Sequence, residues 1–338
     1  MTYRLPLLCP TALAQPDMPR LRGQTGLRIT AIQEHSRHAP PMLRPYDAAR
    51  DADLAQPLPP LCGLALDRPR IMGIVNVTPD SFSDGGQFAK QGQAIAQALR
   101  LVAEGADILD IGGESTRPGA LDVPIADQIA RTAPLIRALR AEGLRLPISI
   151  DTRKAAVARA ALEAGADFVN DVSALTWDRD MAPLVAEAGV PLCLMHAQGT
   201  PQTMQENPYY ENVSLDVRDW LGAAIARAEA AGIDRARLIV DPGIGFGKTV
   251  EHNLALLATL GLLHDTGCAI LLGASRKRFI GSLTGVEEAG QRVSGSVAVA
   301  LHGAAQGAQI LRVHDVRETR QALLLWQALH ETELGIHK

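Results

Sequence analysis

The sequence contains little of what marks the disulfide-rich, metal-cluster and membrane classes of protein. It has four cysteines in 338 residues, namely Cys9, Cys62, Cys193 and Cys268, and no Cys-x-x-Cys pair. Two of the four lie in apolar, strand-like runs, so we expect buried free thiols in a reducing cytoplasm, and neither a disulfide framework nor a tight zinc site. Every apolar run is shorter than the roughly 20 residues of a membrane-spanning helix. A transmembrane protein is therefore not expected.

The amino-terminal residues lack a complete export signal. An Ala-x-Ala sequence at Ala12–Ala14 resembles a signal-peptide cleavage site, but Pro6 and Pro10 interrupt the short apolar stretch before it. A signal peptide needs a continuous apolar region of about 7–15 residues. The sequence therefore favours a cytoplasmic location.

An excess of positive charge is also missing. Lysine and arginine number 33 against 37 aspartate and glutamate residues, which gives a formal net charge of −4 at pH 7. Nucleic-acid-binding domains are usually basic, so the charge balance offers no support for a nucleic-acid partner. The net charge does not attract anions either, so an anionic substrate would need a local positive site.

The chain divides into two regions of different character. Residues 1–68 are rich in proline, arginine and histidine without a sustained period, and Pro57–Pro60 resembles a linker. We expect this region to be an amino-terminal extension, either partly ordered over the main domain or a small appendage. Residues 69–338 form the main domain.

The main domain alternates apolar strand-like runs with alanine- and leucine-rich helical segments. Several helical segments end in glycine, as in Glu104–Asp107 and Glu163–Asp167, where a helix end, a glycine and the next strand follow one another. The strand-like runs are Ile71–Val77, Asp107–Ile111, Pro147–Ile150, Phe168–Val169, Val190–Met195, Arg237–Val240, Cys268–Leu272 and Gln309–Val313. The helical segments include Ala94–Gly105, Lys154–Gly165, Leu215–Gly232, Val250–His264 and Ser294–Gly307.

Eight such units predict an α/β fold of the closed (β/α)8 barrel type, because strict alternation implies parallel strands with helical crossovers. The alternative is an open doubly wound sheet. That fold usually carries a dinucleotide-binding glycine pattern after its first strand, and Val77–Asp80 does not match it.

Polar residues follow all eight predicted strands. The carboxyl ends of barrel strands converge on the face that carries catalysis, so these residues are the candidate site. They are Asn76, Asp110 with 112–119, Asp151–Arg153, Asn170–Asp171, Met195–His196, Asp241–Gly243, Gly273–Lys277 and Arg312–Asp315.

Several of these residues also have purely structural explanations. Asp151 could cap the following helix, and Asp110, between Leu109 and Ile111, could be a paired core residue. Arg153 and Arg276 could pair with neighbouring carboxylates, and His252 and His264 are expected on helix surfaces. The stretch 241–249 ends in Gly-Lys-Thr like a phosphate loop, but proline occupies position 242 where that motif needs glycine.

The residue types at the strand ends suit a flat heterocycle joined to a phosphate group. Cations and a hydroxyl can hold a diphosphate, and carboxylates and amides can pair with the donor-rich edge of a heterocycle. The first set is Thr116, Lys277, Arg312 and His314, the second is Asp151, Asn170 and Asp241, and Met195 and Phe246 could sandwich the ring. An asparagine together with substrate phosphates could hold a loosely bound Mg²⁺. This combination indicates loss of a diphosphate leaving group.

The chain resembles the dihydropteroate synthase family from about Ile71 to about Leu325. The shared motifs are N-V-T-P-D-S-F-S-D-G-G at 76–86, G-G-E-S-T-R-P-G at 112–119, S-I-D-T at 149–152, V-N-D at 169–171, D-P-G-I-G-F-G-K at 241–248, S-R-K at 275–277 and R-V-H-D-V at 312–316. The family is a group of (β/α)8 barrel transferases. It joins 7,8-dihydropterin-6-ylmethyl diphosphate to 4-aminobenzoate in folate synthesis, giving 7,8-dihydropteroate and diphosphate.

The resemblance implies a role for each matching residue. Asn76 would bind Mg²⁺ at the diphosphate, which Thr116, Arg312 and His314 would hold. The pterin would contact Asp151, Asn170, Asp241 and Lys277, in a slot lined by Met195, Phe246 and Gly273. The 4-aminobenzoate pocket would be shaped by Arg117, Pro118, Ser275 and the loop around Phe82. Diphosphate would leave in an ionisation-like step supported by Asp151, Lys277, Arg312 and His314, and the arylamine would then attack.

The resemblance also implies a homodimer, sulfonamide sensitivity, and closure of loops 78–90 and 114–124 over the substrates. The extension at residues 1–68 is longer than the family's usual amino-terminal lead. Two other functions stay open: a pterin-binding methyltransferase domain, which needs no grip on a diphosphate, and a pterin-binding homologue without activity.

Overall fold

The computed structural model describes residues 2–77, 87–115, 120, 122–200 and 202–332, with residues 87–90 as backbone only. Its central feature is a closed barrel of eight parallel strands. These strands are β4 (Arg70–Asn76), β5 (Ile108–Gly112), β6 (Ile148–Asp151), β7 (Phe168–Asp171), β8 (Leu192–Met195), β9 (Leu238–Asp241), β10 (Ala269–Leu272) and β11 (Ile310–Val313). All eight predicted strands are therefore present, and the predicted fold is confirmed.

The barrel closes between its last and first strands. Each strand from β4 to β10 pairs with the next in the chain, and β11 pairs in parallel with β4 from Ile310 opposite Arg70 to Val313 opposite Gly73. An open sheet would leave both of these strands at edges, so that alternative is wrong.

Alternate residues of each strand face the barrel interior and the surrounding helices. Met72, Ile108 and Phe168 pack together inside the barrel, whereas Ile71 and Leu109 belong to the larger core beneath the helices. Because both faces are buried, the strands are continuous apolar runs, as is usual for parallel sheets.

Nine helices accompany the barrel in the described part of the chain. They are α2 (Gln87–Ala103), α3 (Ile125–Ala141), α4 (Ala155–Glu163), α5 (Met181–Ala188), α6 (Val213–Ala230), α7 (Val250–Ala258), α8 (Arg278–Thr284), α9 (Val293–Ala305) and α10 (Val316–Glu331). Gly105 and Gly165 have φ values of 101° and 108° just after α2 and α4, which confirms the helix–glycine–strand device. The segment predicted as one helix over Val250–His264 instead ends its α-helix at Ala258 and continues as a 3-10 helix over Leu260–Thr266.

The extension has regular structure of its own. Its strands β1 (Tyr3–Pro10), β2 (Leu27–His35) and β3 (Met42–Arg44) form an antiparallel sheet in that order, followed by α1 (Ala48–Ala55). Arg22 donates a 2.5 Å hydrogen bond to the carbonyl of His264, and Gln24 donates one of 2.7 Å to the carbonyl of Gly307. His264 is fully buried; its predicted place on a helix surface is wrong because the extension covers it.

The segment after Pro57–Pro60 closes one end of the barrel. Leu61 and Leu66 are 4% and 5% exposed and pack on Met72, Ile108 and Phe168 at the amino-terminal end of the barrel interior. Burial of apolar surface here stabilises the fold and leaves the opposite end of the barrel for chemistry.

All four cysteines are free, as predicted. Cys193 and Cys268 are buried, and Cys9 and Cys62 are partly buried. Among the helices that the structure describes, none combines the length and the apolar character needed to cross a bilayer.

Candidate active site

A cavity of about 840 Å³ opens at the carboxyl-terminal end of the barrel. Its walls bring together residues that are far apart in the sequence but follow different strands. Those to which the family resemblance gave a role and that are found in these walls are Asn76, Asp151, Phe246, Gly273, Ser275, Lys277, Arg312 and His314. The predicted convergence of strand ends is thus observed for these eight residues.

Arg312 joins three strand ends at the base of the site. Its Nε lies 2.6 Å from Oδ2 of Asp110, and its Nη2 lies 2.6 Å from Oδ2 of Asp151. Asn170 Nδ2 donates to the same Asp110 oxygen at 3.3 Å. One guanidinium therefore balances two buried carboxylates and fixes their orientation.

Asp151 faces the cavity with a free acceptor. Burial raises its pKa to about 7, with Arg312 opposing and Asp110 adding to the rise. Its Oδ1 and that of Asp110 are buried without a hydrogen-bond partner among the described residues. Such atoms need a hydrogen-bond donor, which a water molecule or a ligand can supply. The capping explanation for Asp151 is wrong, because α4 begins at Ala155 with Lys154 as its cap.

Asp241 supplies a further carboxylate from β9. Its Oδ1 accepts a 2.7 Å hydrogen bond from the backbone N–H of Gly243, and burial raises its pKa. A Cβ atom at Gly273 would lie 3.4 Å from Asp241 Oδ2 and 3.8 Å from Arg312 Cδ. A larger residue at position 273 would therefore fill the space beside the Asp241 carboxylate that glycine leaves open.

An aromatic ring and a lysine form one wall of the site. Nζ of Lys277 lies 3.9 Å from the ring centroid of Phe246, a cation–π contact. Met195 is 4% exposed at the end of β8, paired in register with Asp241. Met195 and Asn170 are thus at the strand ends where they were predicted.

Ser275 and His314 meet at the next two strand ends. The backbone N–H of His314 donates to Ser275 Oγ at 3.2 Å, and Nδ1 of its ring lies 3.1 Å from the same oxygen. The hydroxyl and the imidazole are therefore presented to the cavity together.

Thr116, Arg117 and Pro118 lie outside the described residues, so the expected closure of loops 78–90 and 114–124 falls largely on residues that the structure does not describe. Their flanks are tightly held. Glu114 accepts hydrogen bonds from the backbone N–H of Val123 at 3.0 Å and from Gln128 Nε2 at 3.1 Å.

The predicted ion pairs of the two strand-end arginines are present. Arg153 Nη2 lies 3.0 Å from Asp122 Oδ1. Arg276 pairs with the carboxylate of Asp315 through two nitrogens.

Two charged residues at or near the site were given no role from the sequence, Asp110 and Lys248. Asp110 was among the candidates but was given no role, and its expected alternative as a paired core residue agrees with its full burial and its ion pair with Arg312. Lys248 was set aside with the phosphate-loop pattern. Its Nζ lies 2.8 Å from Nδ1 of His196 and donates at 3.0 Å to the carbonyl of Phe246, and burial lowers its pKa to about 7.

The fold and this site define a (β/α)8 barrel enzyme with buried carboxylates, an arginine and a cation–π wall at the carboxyl ends of its strands. The profile of the family described as Pterin binding enzyme matches residues 72–314.

The dihydropteroate synthase of Neisseria meningitidis serogroup B is 50% identical over 271 residues, covering 79% of this chain and 94% of the relative. A Xanthomonas albilineans dihydropteroate synthase structure with 4-aminobenzoic acid is 50% identical, covering 81% of this chain and 99% of that one, with a TM-score of 0.77. A Yersinia pestis dihydropteroate synthase in a sulfonamide drug complex is 46% identical, covering 80% and 97%, with a TM-score of 0.75. The chain belongs to the pterin-binding enzyme family, among the dihydropteroate synthases.

Proposed function

We propose that this chain condenses 7,8-dihydropterin-6-ylmethyl diphosphate with 4-aminobenzoate, giving 7,8-dihydropteroate and diphosphate. The observation that carries the proposal is the buried Asp151 in the cavity wall, whose Oδ1 has no hydrogen-bond partner among the described residues. A flat ring with several N–H donors would satisfy such an acceptor. Water would satisfy it as well, but would not make the site selective for one substrate.

The pterin is held at the base of the cavity. Asp151 and Asp241 accept from the ring's N–H groups, Asn170 pairs with its edge, and Lys277 and Phe246 enclose its faces with Met195. Because Arg312 already orients Asp151 at 2.6 Å, the carboxylate is positioned before the substrate arrives.

The reaction breaks the bond between the pterin's methylene carbon and the diphosphate oxygen, and the electron pair leaves with the diphosphate. Asp151 supports the positive charge that develops on the pterin, and Arg312 and His314 hold the departing anion. The amine of 4-aminobenzoate then attacks the methylene carbon and loses a proton. No covalent intermediate with a side chain is needed, because positioning and electrostatics supply the catalysis.

The donor set fits a Mg²⁺ ion that stays mostly on the substrate. In the described ranges, no group of three or more His, Cys, Asp or Glu side chains converges to form a metal cage. Asn76 ends β4 in the cavity wall, and one amide oxygen with substrate phosphates and water suits Mg²⁺. When bound, the ion would neutralise charge on the leaving diphosphate.

The second substrate occupies the side of the cavity near Ser275. The roles that the family resemblance gives to Arg117 and Pro118 fall on residues outside the described ranges. The sequence around Phe82 has no insertion relative to the family, so a sulfonamide is expected to compete with 4-aminobenzoate. A wild-type turnover rate that does not change at a saturating sulfonamide concentration would refute this expectation.

The direct test combines the purified full chain with the pterin diphosphate, 4-aminobenzoate and Mg²⁺, and measures dihydropteroate. Product is expected, and chelation of Mg²⁺ should slow its formation. Pterin binding without product would instead support the inactive-homologue alternative, and activity with a methyl donor would support a methyltransferase domain.

We also propose a cytoplasmic homodimer that associates through α9 and α10. Leu324, Leu325 and Leu329 are 50%, 64% and 65% exposed on α10, which packs beside α9. Adjacent exposed leucines of this kind mark association surfaces. Light scattering should give twice the chain mass, and Leu325→Glu should give a monomer; a wild-type monomer would contradict the proposal.

A further inference from the structure

Arg276 has a backbone conformation that its residue type disfavours. Its φ is 59°, in the left-handed region. In this region the Cβ atom of any residue other than glycine crowds the backbone. It lies between Ser275 and Lys277, two residues of the proposed site. A strained residue persists at a functional site only when its surroundings hold it there.

The backbone N–H of Arg276 is held by α9. It donates a 2.9 Å hydrogen bond to Oγ of Ser296, which is 4% exposed. The Ser296 hydroxyl in turn donates to the carbonyl of Arg292 at 2.7 Å. Because the hydroxyl proton is donated to Arg292, the serine oxygen accepts from the backbone N–H of Arg276 through a lone pair.

The carbonyl and the side chain of Arg276 are held by other residues. Nη1 of Arg292 donates to the Arg276 carbonyl at 3.0 Å, and Nε of Arg292 is itself fixed by the carbonyl of Val286 at 2.9 Å. The Arg276 guanidinium pairs with both carboxylate oxygens of Asp315, which is 8% exposed just before α10. The N–H, the carbonyl and the guanidinium of Arg276 each have a separate partner.

We propose that Arg292, Ser296 and Asp315 are positioning residues that lock Arg276 in the left-handed conformation and thereby place Ser275 and Lys277. We call this set of contacts the Arg276 lock. Its importance for catalysis rests on the proposed function. A change of Arg276 to the right-handed region would redirect the chain on both sides. Lys277 would then leave the face of Phe246, and Ser275 would leave His314.

The first test separates backbone strain from the loss of the arginine side chain. Arg276→Ala and Arg276→Gly both remove the ion pair with Asp315, but only glycine adopts the left-handed conformation without strain. We expect Arg276→Gly to unfold at a higher urea concentration than Arg276→Ala. Equal midpoints would overturn the lock, and this measurement needs no ligand.

The second test uses two serines of the same helix. Ser296→Ala should weaken calorimetric binding of the pterin diphosphate by about tenfold, because a small displacement of Lys277 is costly. The matched control is Ser294→Ala, at an exposed position of α9, which should bind as the wild type does. Equal binding by both variants would overturn the inference while the proposed function stands. A wild-type chain without pterin affinity would overturn the proposed function and, with it, the lock's catalytic meaning.

Discussion

The two ends of the barrel interior are built from the same strands but have opposite chemistry. Ile108 and Phe168 lie at the amino-terminal end under Leu61 and Leu66, in an apolar cluster. Two residues further along four of the strands, the interior positions become polar. The pairs are Ile108 and Asp110, Phe168 and Asn170, Ile239 and Asp241, and Ile310 and Arg312.

This difference shows how one period-2 pattern serves two purposes. The apolar end is sealed by the extension and contributes stability through burial. The polar end concentrates carboxylates whose burial costs stability, balanced by Arg312 and completed by a ligand. Substitutions at the two ends should therefore act on different observables.

The largest effect is expected at the polar end, from Arg312→Met. Removing the guanidinium leaves Asp110 and Asp151 buried without their counter-charge, which should lower the free energy of unfolding by about 3–5 kcal/mol and abolish turnover. Urea unfolding and the dihydropteroate assay measure the two effects. Arg312→Lys is the control that keeps the charge; wild-type turnover in Arg312→Met would contradict the role of Arg312.

Asp241→Ala should separate binding from stability at the same end. The pterin's N–H groups lose their acceptor, so calorimetry should show binding weaker by about 2–4 kcal/mol. The free energy of unfolding should change little, because a buried carboxylate is removed with its desolvation cost. Unchanged affinity would overturn the assignment of Asp241.

Leu66→Ala tests the sealed end. Loss of a buried leucine side chain should lower the free energy of unfolding by about 2–3 kcal/mol. Turnover of the folded enzyme should equal that of the wild type, because the apolar cluster lies below the site. Leu13→Ala, at a position 60% exposed, is the matched control and should have the wild-type stability. A large loss of turnover in Leu66→Ala would contradict the claim that the apolar end contributes to stability and not to activity.

The last prediction concerns pH. Burial lowers the pKa of Lys248 to about 7, against about 10.4 for an ordinary lysine. Between these values the unfolded chain binds a proton that the folded chain does not, so this contribution to stability increases with pH and is lost as the pH falls through 7. The stability of the wild type relative to Lys248→Met should therefore rise from pH 7 to pH 10. A constant difference would contradict the lowered pKa.

Much of the barrel could be predicted because its signals are local. Apolar runs, helix-ending glycines such as Gly105, and polar residues at strand ends all lie within a few residues of one another. Asp151, Asp241 and Arg312 were found in this way. The alternation of strand residues also places them on the inner face.

What could not be predicted depends on contacts between distant segments. The extension's strands lack a sustained period, and its burial of His264 depends on Arg22, over 200 positions away in the sequence. The pairing of Arg276 with Ser296 and Asp315 likewise arises only when β10, α9 and β11 are packed together. Lys248 was given no role because it lies in the stretch 241–249, which resembles a phosphate loop and was set aside.

Hydrogen exchange with and without the pterin diphosphate compares the two ends in a single measurement. Peptides that include Asp151, Asn170 and Asp241 should gain protection when the ligand binds. Peptides that include Leu61 and Leu66 should exchange as before. Protection gained at the sealed end, or at neither end, would contradict the placement of the active site at the carboxyl ends of the strands.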